Sequence, residues 1–189
     1  MSKLPPVLQN MSLPVIGSPL FIISNPKLVI EQCKAGVVGS MPALNARPAE
    51  LLDEWLAEIT ETLAAYNKAN PDKPAAPFAI NQIVHKSNDR LDHDLEMCVK
   101  YKVPVIITSL GARPEVNQAV HSYGGVVLHD VINNTFARKA IDLGSKTGPL
   151  CRRHWATIEQ SRLTRGEKEN AVSAHAQLEG CTVPGIKRY

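Results

Sequence analysis

Val103-Pro104-Val105-Ile106-Ile107-Thr108, a stretch opened by Arg113-Pro114 and stopped by Gly124-Gly125, and then Val126-Val127-Leu128-His129 form the run that decides the fold class. Both short segments are apolar nearly throughout, as expected of strands buried on both faces in a parallel sheet. Pro104 stands near the start of its strand, where a missing N–H is tolerated. Pro114 suits the first position of a helix, where the N–H has no intrahelical partner. The unit reads strand, helix, strand.

The same unit recurs outward in both directions. Upstream, Phe78-Ala79-Ile80-Asn81-Gln82-Ile83 reads as a strand, and a helix over 89–101 presents Leu91, Leu95, Met97 and Cys98 to a core. Before it, Val37-Val38-Gly39-Ser40-Met41 is a strand. A helix runs from about Pro48 to Ala69, with Leu51, Leu52, Trp55, Leu56, Ile59 and Leu63 at helical spacing. The first unit is a strand at 13–17 followed by a helix that Asn25 caps and Pro26 opens, which Gly36 ends. Downstream, Asn133 or Asn134 opens a fifth helix that reaches Gly144. Five such units in a row predict a parallel α/β sheet. Right-handed crossovers leave an open doubly wound sheet or a (β/α)8 barrel. The first strand lacks the G-x-G-x-x-G turn of a dinucleotide fold, which favours the barrel.

Composition narrows the class of function. Hydrophobic residues make up 44% and charged residues 21% of the 189, which suits a globular domain. No apolar run approaches the roughly 18 residues of a membrane span, and no leader pattern is read at the start, so the expectation is a soluble, cytoplasmic protein without a membrane partner. The cysteines, Cys33, Cys98, Cys151 and Cys181, form no C-x-x-C pair and no zinc spacing, and read as free thiols with no metal site. Through Gly144, 13 Lys and Arg stand against 14 Asp and Glu; beyond it, 8 stand against 4. The tail's cations are interspersed with Glu159, Glu167, Glu169 and Glu179, which reads as a solvated surface rather than a nucleic-acid site.

Parallel α/β folds bind ligands at the C-terminal ends of their strands. That rule selects Gly17 and Ser18, Ser40 and Met41, Asn81 and Gln82, Thr108 and Ser109, and His129 and Asp130. They suit a flat polar ligand better than a metal, which wants several close His or carboxylate ligands. Gly17 lets backbone approach a ligand or merely forms a turn. Asn81 interrupts an apolar strand and needs hydrogen-bond partners, from backbone or from a ligand. His129 and Asp130 offer an acid/base pair, although neighbouring strand residues point to opposite faces.

Four of these stretches carry a resemblance. Leu13-Pro14-Val15-Ile16-Gly17-Ser18-Pro19-Leu20, Gly36-Val37-Val38-Gly39-Ser40-Met41-Pro42-Ala43-Leu44, Phe78-Ala79-Ile80-Asn81 and Val126-Val127-Leu128-His129-Asp130-Val131 follow the order and spacing of nitronate monooxygenases, also called 2-nitropropane dioxygenases. The resemblance covers residues 13–144. It implies a (β/α)8 barrel holding FMN, which oxidises alkyl nitronates with molecular oxygen to a carbonyl compound and nitrite. It also implies that Ile16, Gly17 and Ser18 lie against the flavin ring, that Asn81 hydrogen-bonds it, and that His129 and Asp130 flank the site. Members often have Gln-Gly-Gly at the first loop, and some have Lys where Asp130 stands, so the flavin contacts differ here.

After Gly144 the resemblance stops. The family's sixth strand, its Gly-Gly-His loop and its phosphate-binding glycines have no counterpart in Ser145-Lys146-Thr147-Gly148-Pro149-Leu150-Cys151-Arg152-Arg153-His154-Trp155. Neither His154 nor His175 takes the catalytic role, which is left unassigned. The expected organisation is a partial FMN-type barrel domain over 1–144 and an irregular or helical basic tail over 145–189, with helix propensity at 157–163 and 167–178. The tail reads as the product of a shifted frame or a truncation. A missing acid/base residue alone lowers a rate by about 10²–10⁴-fold. Inactivity of the chain, self-association through open sheet edges, and NAD(P)H-dependent reduction of a quinone or enoyl substrate are the alternatives that follow.

Overall fold

The computed structural model describes residues 5–9, 11–131, 134–145 and 155–158. Five helices, α1 (Pro26–Lys34), α2 (Leu51–Ala69), α3 (Leu91–Lys100), α4 (Pro114–Ser122) and α5 (Asn134–Ser145), alternate with strands β1 (Gly39–Pro42), β2 (Phe78–Ile83), β3 (Val105–Ser109), β4 (Val126–Val131) and β5 (Trp155–Ile158). The strands form one sheet in the order β1-β2-β3-β4-β5, every neighbouring pair parallel.

That order decides between the two sequence-level options. A doubly wound sheet reverses direction at a switch point and carries helices on both faces. Here each strand adds on the same side as the last, and the helices share one face. Val29 and Cys33 of α1, Leu56 and Ile59 of α2, Cys98 of α3 and Val120 of α4 pack with Met41, Ile80, Ile106 and Val127 of the strands. The opposite residues of the pleat, Ala79, Val105, Ile107, Val126 and Leu128, form a second core with Val38. Its cover among the described residues is Leu8 of a 3-10 turn (Pro6–Leu8), with Val7, Met11 and Ile16. One helix-covered face and one inner face make an arc of a barrel wall.

Local signals place the elements. Asn25 caps α1 by accepting from the Leu28 N–H at 3.1 Å, with Pro26 first in the helix, as the sequence predicts. Gly36, at φ +87°, ends that helix in a conformation an L side chain resists. Gly39 sets how closely α1 sits on β1: a Cβ there would stand 2.3 Å from the Val29 carbonyl oxygen. No helix among the described residues is long and apolar enough to cross a membrane.

Two expectations change. The strand expected at 13–17 shrinks to a single parallel bridge, Ile16 with Val38, because Pro14 has no N–H and Val15 gives its own to the Leu13 carbonyl at 2.8 Å. The sheet also continues beyond Gly144. β5 pairs in parallel with β4, Leu128 opposite Trp155 through Val131 opposite Ile158, so a sixth strand position exists at 155–158, within the stretch whose sequence predicts an irregular or helical tail. Four residues without a long apolar run give little sequence signal; the free edge of β4 supplies the pairing partner. The expected helix at 157–163 therefore fails at Thr157 and Ile158, and the remainder of it, like 167–178, lies outside the described residues. Cys33 and Cys98 are buried free thiols; Cys151 and Cys181 lie outside the described residues.

Candidate active site

On the inner face, at the C-terminal ends of three successive strands, polar side chains form a lateral chain. Asn81 on β2 donates through Nδ2 to the Ile107 carbonyl at 3.0 Å and to Ser109 Oγ at 2.7 Å. Ser109, on β3, donates to Asp130 Oδ2 on β4 at 3.2 Å. The pleat explains the meeting. Asn81, Ser109 and Asp130 share the parity of Ala79, Ile107 and Leu128, which line the inner core. Below this level the inner face of β2, β3 and β4 is apolar, with Ser40 on β1 bonded to the Gly17 carbonyl, so the chain is a polar band at the mouth of a largely apolar barrel wall. Asn81 is 7% exposed, and its amide is fixed in sense. With Nδ2 donating twice, Oδ1 is left as the acceptor of the amide.

His129 stands apart from that band. It is 1% exposed, shares its parity with Val127 on the helix-facing side, and its Nδ1 meets Thr108 Oγ1 at 2.7 Å. The sequence resemblance put His129 and Asp130 together beside a ligand; the strand's alternation separates their side chains onto opposite faces of the sheet. Gln82 likewise faces the helices and donates to Cys98 Sγ at 3.3 Å. Burial pushes the Cys98 thiol up to about 12 and the Cys33 thiol up to about 11, which makes both packing groups rather than nucleophiles.

The first segment reaches the same inner face by a different route. Gly17 donates to the Val38 carbonyl at 2.7 Å, its own carbonyl accepts from buried Ser40 Oγ, and Ile16 packs against the inner core. Ser40 pairs in register with Ala79, two residues below Asn81. A Cβ at Gly17 would stand 2.6 Å from Nε2 of Gln32, the end of a flexible side chain on α1. Ser18 is exposed.

Two residues that the sequence reading did not single out organise the rim. Asn45, in the turn after β1, accepts from the Ile22 N–H at 3.1 Å and donates to the carbonyls of Leu20 and Ser24 at 3.0 and 2.8 Å. Arg90 donates to the Ala46 carbonyl at 2.7 Å and to Asp94 Oδ1 at 3.0 Å. Three successive strand-to-helix loops are thereby tied together. Polar residues in a turn look ordinary in sequence, and only the partners reveal the linkage. Among the described residues no cluster of His, Cys, Asp or Glu could hold a metal.

Consecutive parallel strands, helices on one face and a polar mouth at the strand ends fit one architecture. The fold is part of a (β/α)8 barrel. Solved structures agree. FabK from Thermotoga maritima superposes with a TM-score of 0.60 at 19% identity, over 76% of this chain and 42% of that one. Nitroalkane oxidase from Streptomyces ansochromogenes gives 0.60 at 17% identity, over 73% and 46%. The M276A variant of the same FabK gives 0.57 at 19%, over 73% and 42%. The chain spans less than half the length of these structures. No family model and no curated protein matches the sequence.

Proposed function

We propose that this chain is the cofactor-reading part of a flavin-dependent oxidoreductase barrel, of the kind that oxidises alkyl nitronates with molecular oxygen. The observation that carries the reading is the Asn81–Ser109–Asp130 band at the strand ends. The polar edge of a flavin ring is flat and offers both hydrogen-bond donors and acceptors, and the band meets it with a fixed amide acceptor and a hydroxyl. The residues present therefore fit the ring of FMN; among the described residues there is no glycine-rich turn for its phosphate. When bound, FMN would supply the redox chemistry, accepting two electrons from substrate and passing them to oxygen. Asn81 Oδ1 would accept from the ring, Ser109 would hold the Asn81 amide in its sense, and Asp130 would orient the Ser109 hydroxyl. Ile16 would contribute an apolar wall to the inner face. No described residue is assigned the acid/base role.

A second reading, NAD(P)H-dependent reduction of an enoyl or quinone substrate, draws support from the superposition on FabK, which scores as well as that on nitroalkane oxidase.

A flavin titration separates these readings. Quenching of FMN fluorescence with a saturable midpoint is expected, together with oxygen consumption on adding an alkyl nitronate. Flavin bleaching by NADH but not by nitronate selects the reductase. An FMN spectrum unchanged at tens of micromolar protein would sink both and leave a non-catalytic chain.

A further inference from the structure

The donors of the Asn81–Ser109–Asp130 band are spent. Asn81 Nδ2 gives its hydrogens to the Ile107 carbonyl and Ser109 Oγ, and the Ser109 hydroxyl donates to Asp130. What remains to the band is acceptors, which suit a ring N–H but not a substrate oxygen that carries negative charge. Both readings of the reaction need a donor for such an oxygen. A nitronate is an anion before it reacts, and an enoyl carbonyl gains negative charge as the double bond is reduced. His129 cannot supply the donor, because it is buried on the helix side of the sheet. His93 lies on α3 against Asp94, and His121 is in the last turn of α4, away from the strand ends.

His85 remains, exposed at the mouth end of β2. The β2 ladder runs one residue past Ile83: the Val84 N–H donates to the carbonyl of Ser109 at 3.0 Å, and Val84 packs with the helix-side core. Alternation then sets position 85 on the inner side, with Asn81 and Ile83. The ring is held in one sense. Its Nδ1 accepts from the Ser87 N–H at 3.3 Å and meets Ser87 Oγ at 2.8 Å. A backbone N–H only donates, so the neutral ring carries its proton on Nε2. The loop under it is tied down as well. Asn88 donates through Nδ2 to the Ile83 carbonyl at 2.8 Å and through its N–H to the His85 carbonyl at 2.9 Å, and Arg90 donates to the Ala46 carbonyl. A donor fixed before its ligand arrives loses little freedom on binding. We propose that His85 Nε2–H binds the substrate oxygen that carries negative charge, beside the flavin edge met by the band. The inference rests on the flavin reading and adds the substrate contact that the band lacks.

Nitrite is the probe, an anion with two oxygens on nitrogen. The full chain loaded with FMN is titrated with nitrite at an ionic strength held constant with chloride, and followed by flavin absorbance and by proton NMR of the imidazole rings. The His85 Cε1–H resonance, identified by its absence from His85→Leu and His85→Gln, is expected to shift saturably. His85→Leu should weaken nitrite binding at least about tenfold, as for a lost hydrogen bond to a charged group. His85→Gln, which keeps an N–H donor, should recover most of that loss. Far-UV circular dichroism and the FMN midpoint should be the same in all three chains. An FMN-loaded chain that does not bind nitrite, a His85 resonance that stays still at saturation, or a His85→Leu chain that binds nitrite as tightly as the parent overturns the inference and leaves the flavin reading standing. A fall in FMN affinity in both variants also overturns it, by assigning His85 to the flavin instead. Failure of the parent chain to bind FMN overturns the flavin reading and this inference with it.

Discussion

Asn81 shows how far a single residue can be read. Its place in an apolar strand marks it as needing partners, and its partners, the Ile107 carbonyl and Ser109, lie on the next strand. Asn81→Leu would leave that hydroxyl and carbonyl short of a donor, so a loss of about 1–3 kcal/mol in urea unfolding is expected. Ser109→Ala keeps the Ile107 bond and should lose nearer 1 kcal/mol. If the flavin reading holds, both variants weaken FMN in the fluorescence titration, Asn81→Leu the more. The buried thiols make a pH prediction. Burial raises the Cys98 and Cys33 pKa values to about 12 and 11 in the folded chain, above the ordinary thiol value of 9.0. Above pH 9 the unfolded chain loses these protons while the folded chain keeps them. Stability from the two thiols is therefore complete below pH 9 and declines as pH rises toward 11 and 12. Urea midpoints measured from pH 8 to 10.5 should fall, and Cys98→Ala should make that fall shallower.

At the scale of elements, α1 and β1 show how local signals and packing combine. Asn25, Pro26 and Gly36 mark where the helix starts and stops, and all three are visible in the sequence. That Gly39 exists for close approach is not, because the atom it avoids, the Val29 carbonyl oxygen, belongs to another element. Gly39→Ala should cost about 1–3 kcal/mol by overpacking, read as a lowered thermal midpoint, whereas Gly124→Ala meets no atom within 4 Å and should suffer only from its positive φ. Helix α2 has the opposite lesson. Its 3.6-residue pattern put Leu52, Leu56 and Ile59 on one face, and all three are fully buried. Leu56→Ala should cost about 2–5 kcal/mol, the ordinary range for a core cavity. His129 and Asp130 also belong to this scale. Adjacent positions on β4 could not both enter one pocket, and packing decided which one faces inward.

The whole molecule is an arc of barrel wall, and its behaviour depends on how that arc is finished. Deleting residues 146–189 would remove β5 and leave β4 as the edge of the sheet. A lower thermal midpoint and turbidity on heating are expected relative to the full chain, because β4 would then present unpaired N–H and C=O groups. An unchanged midpoint would mean that β5 adds nothing to the stability of the sheet.

By itself, the sequence determined the repeating strand–helix units, the helix faces and their caps, and the strand-end residues among which a site had to lie. These follow from local periodicity and from the backbone limits of proline and glycine, which act over a few residues. Only the tertiary structure decided that all helices share one face, that Asn81, Ser109 and Asp130 join while His129 turns away, and that the sheet runs on to Ile158. Each of those outcomes depends on contacts between residues far apart in the chain. The first segment shows the division most plainly: Pro14 and Val15 limit it to one bridge locally, while Ser40 and Asn45 fix where it lies.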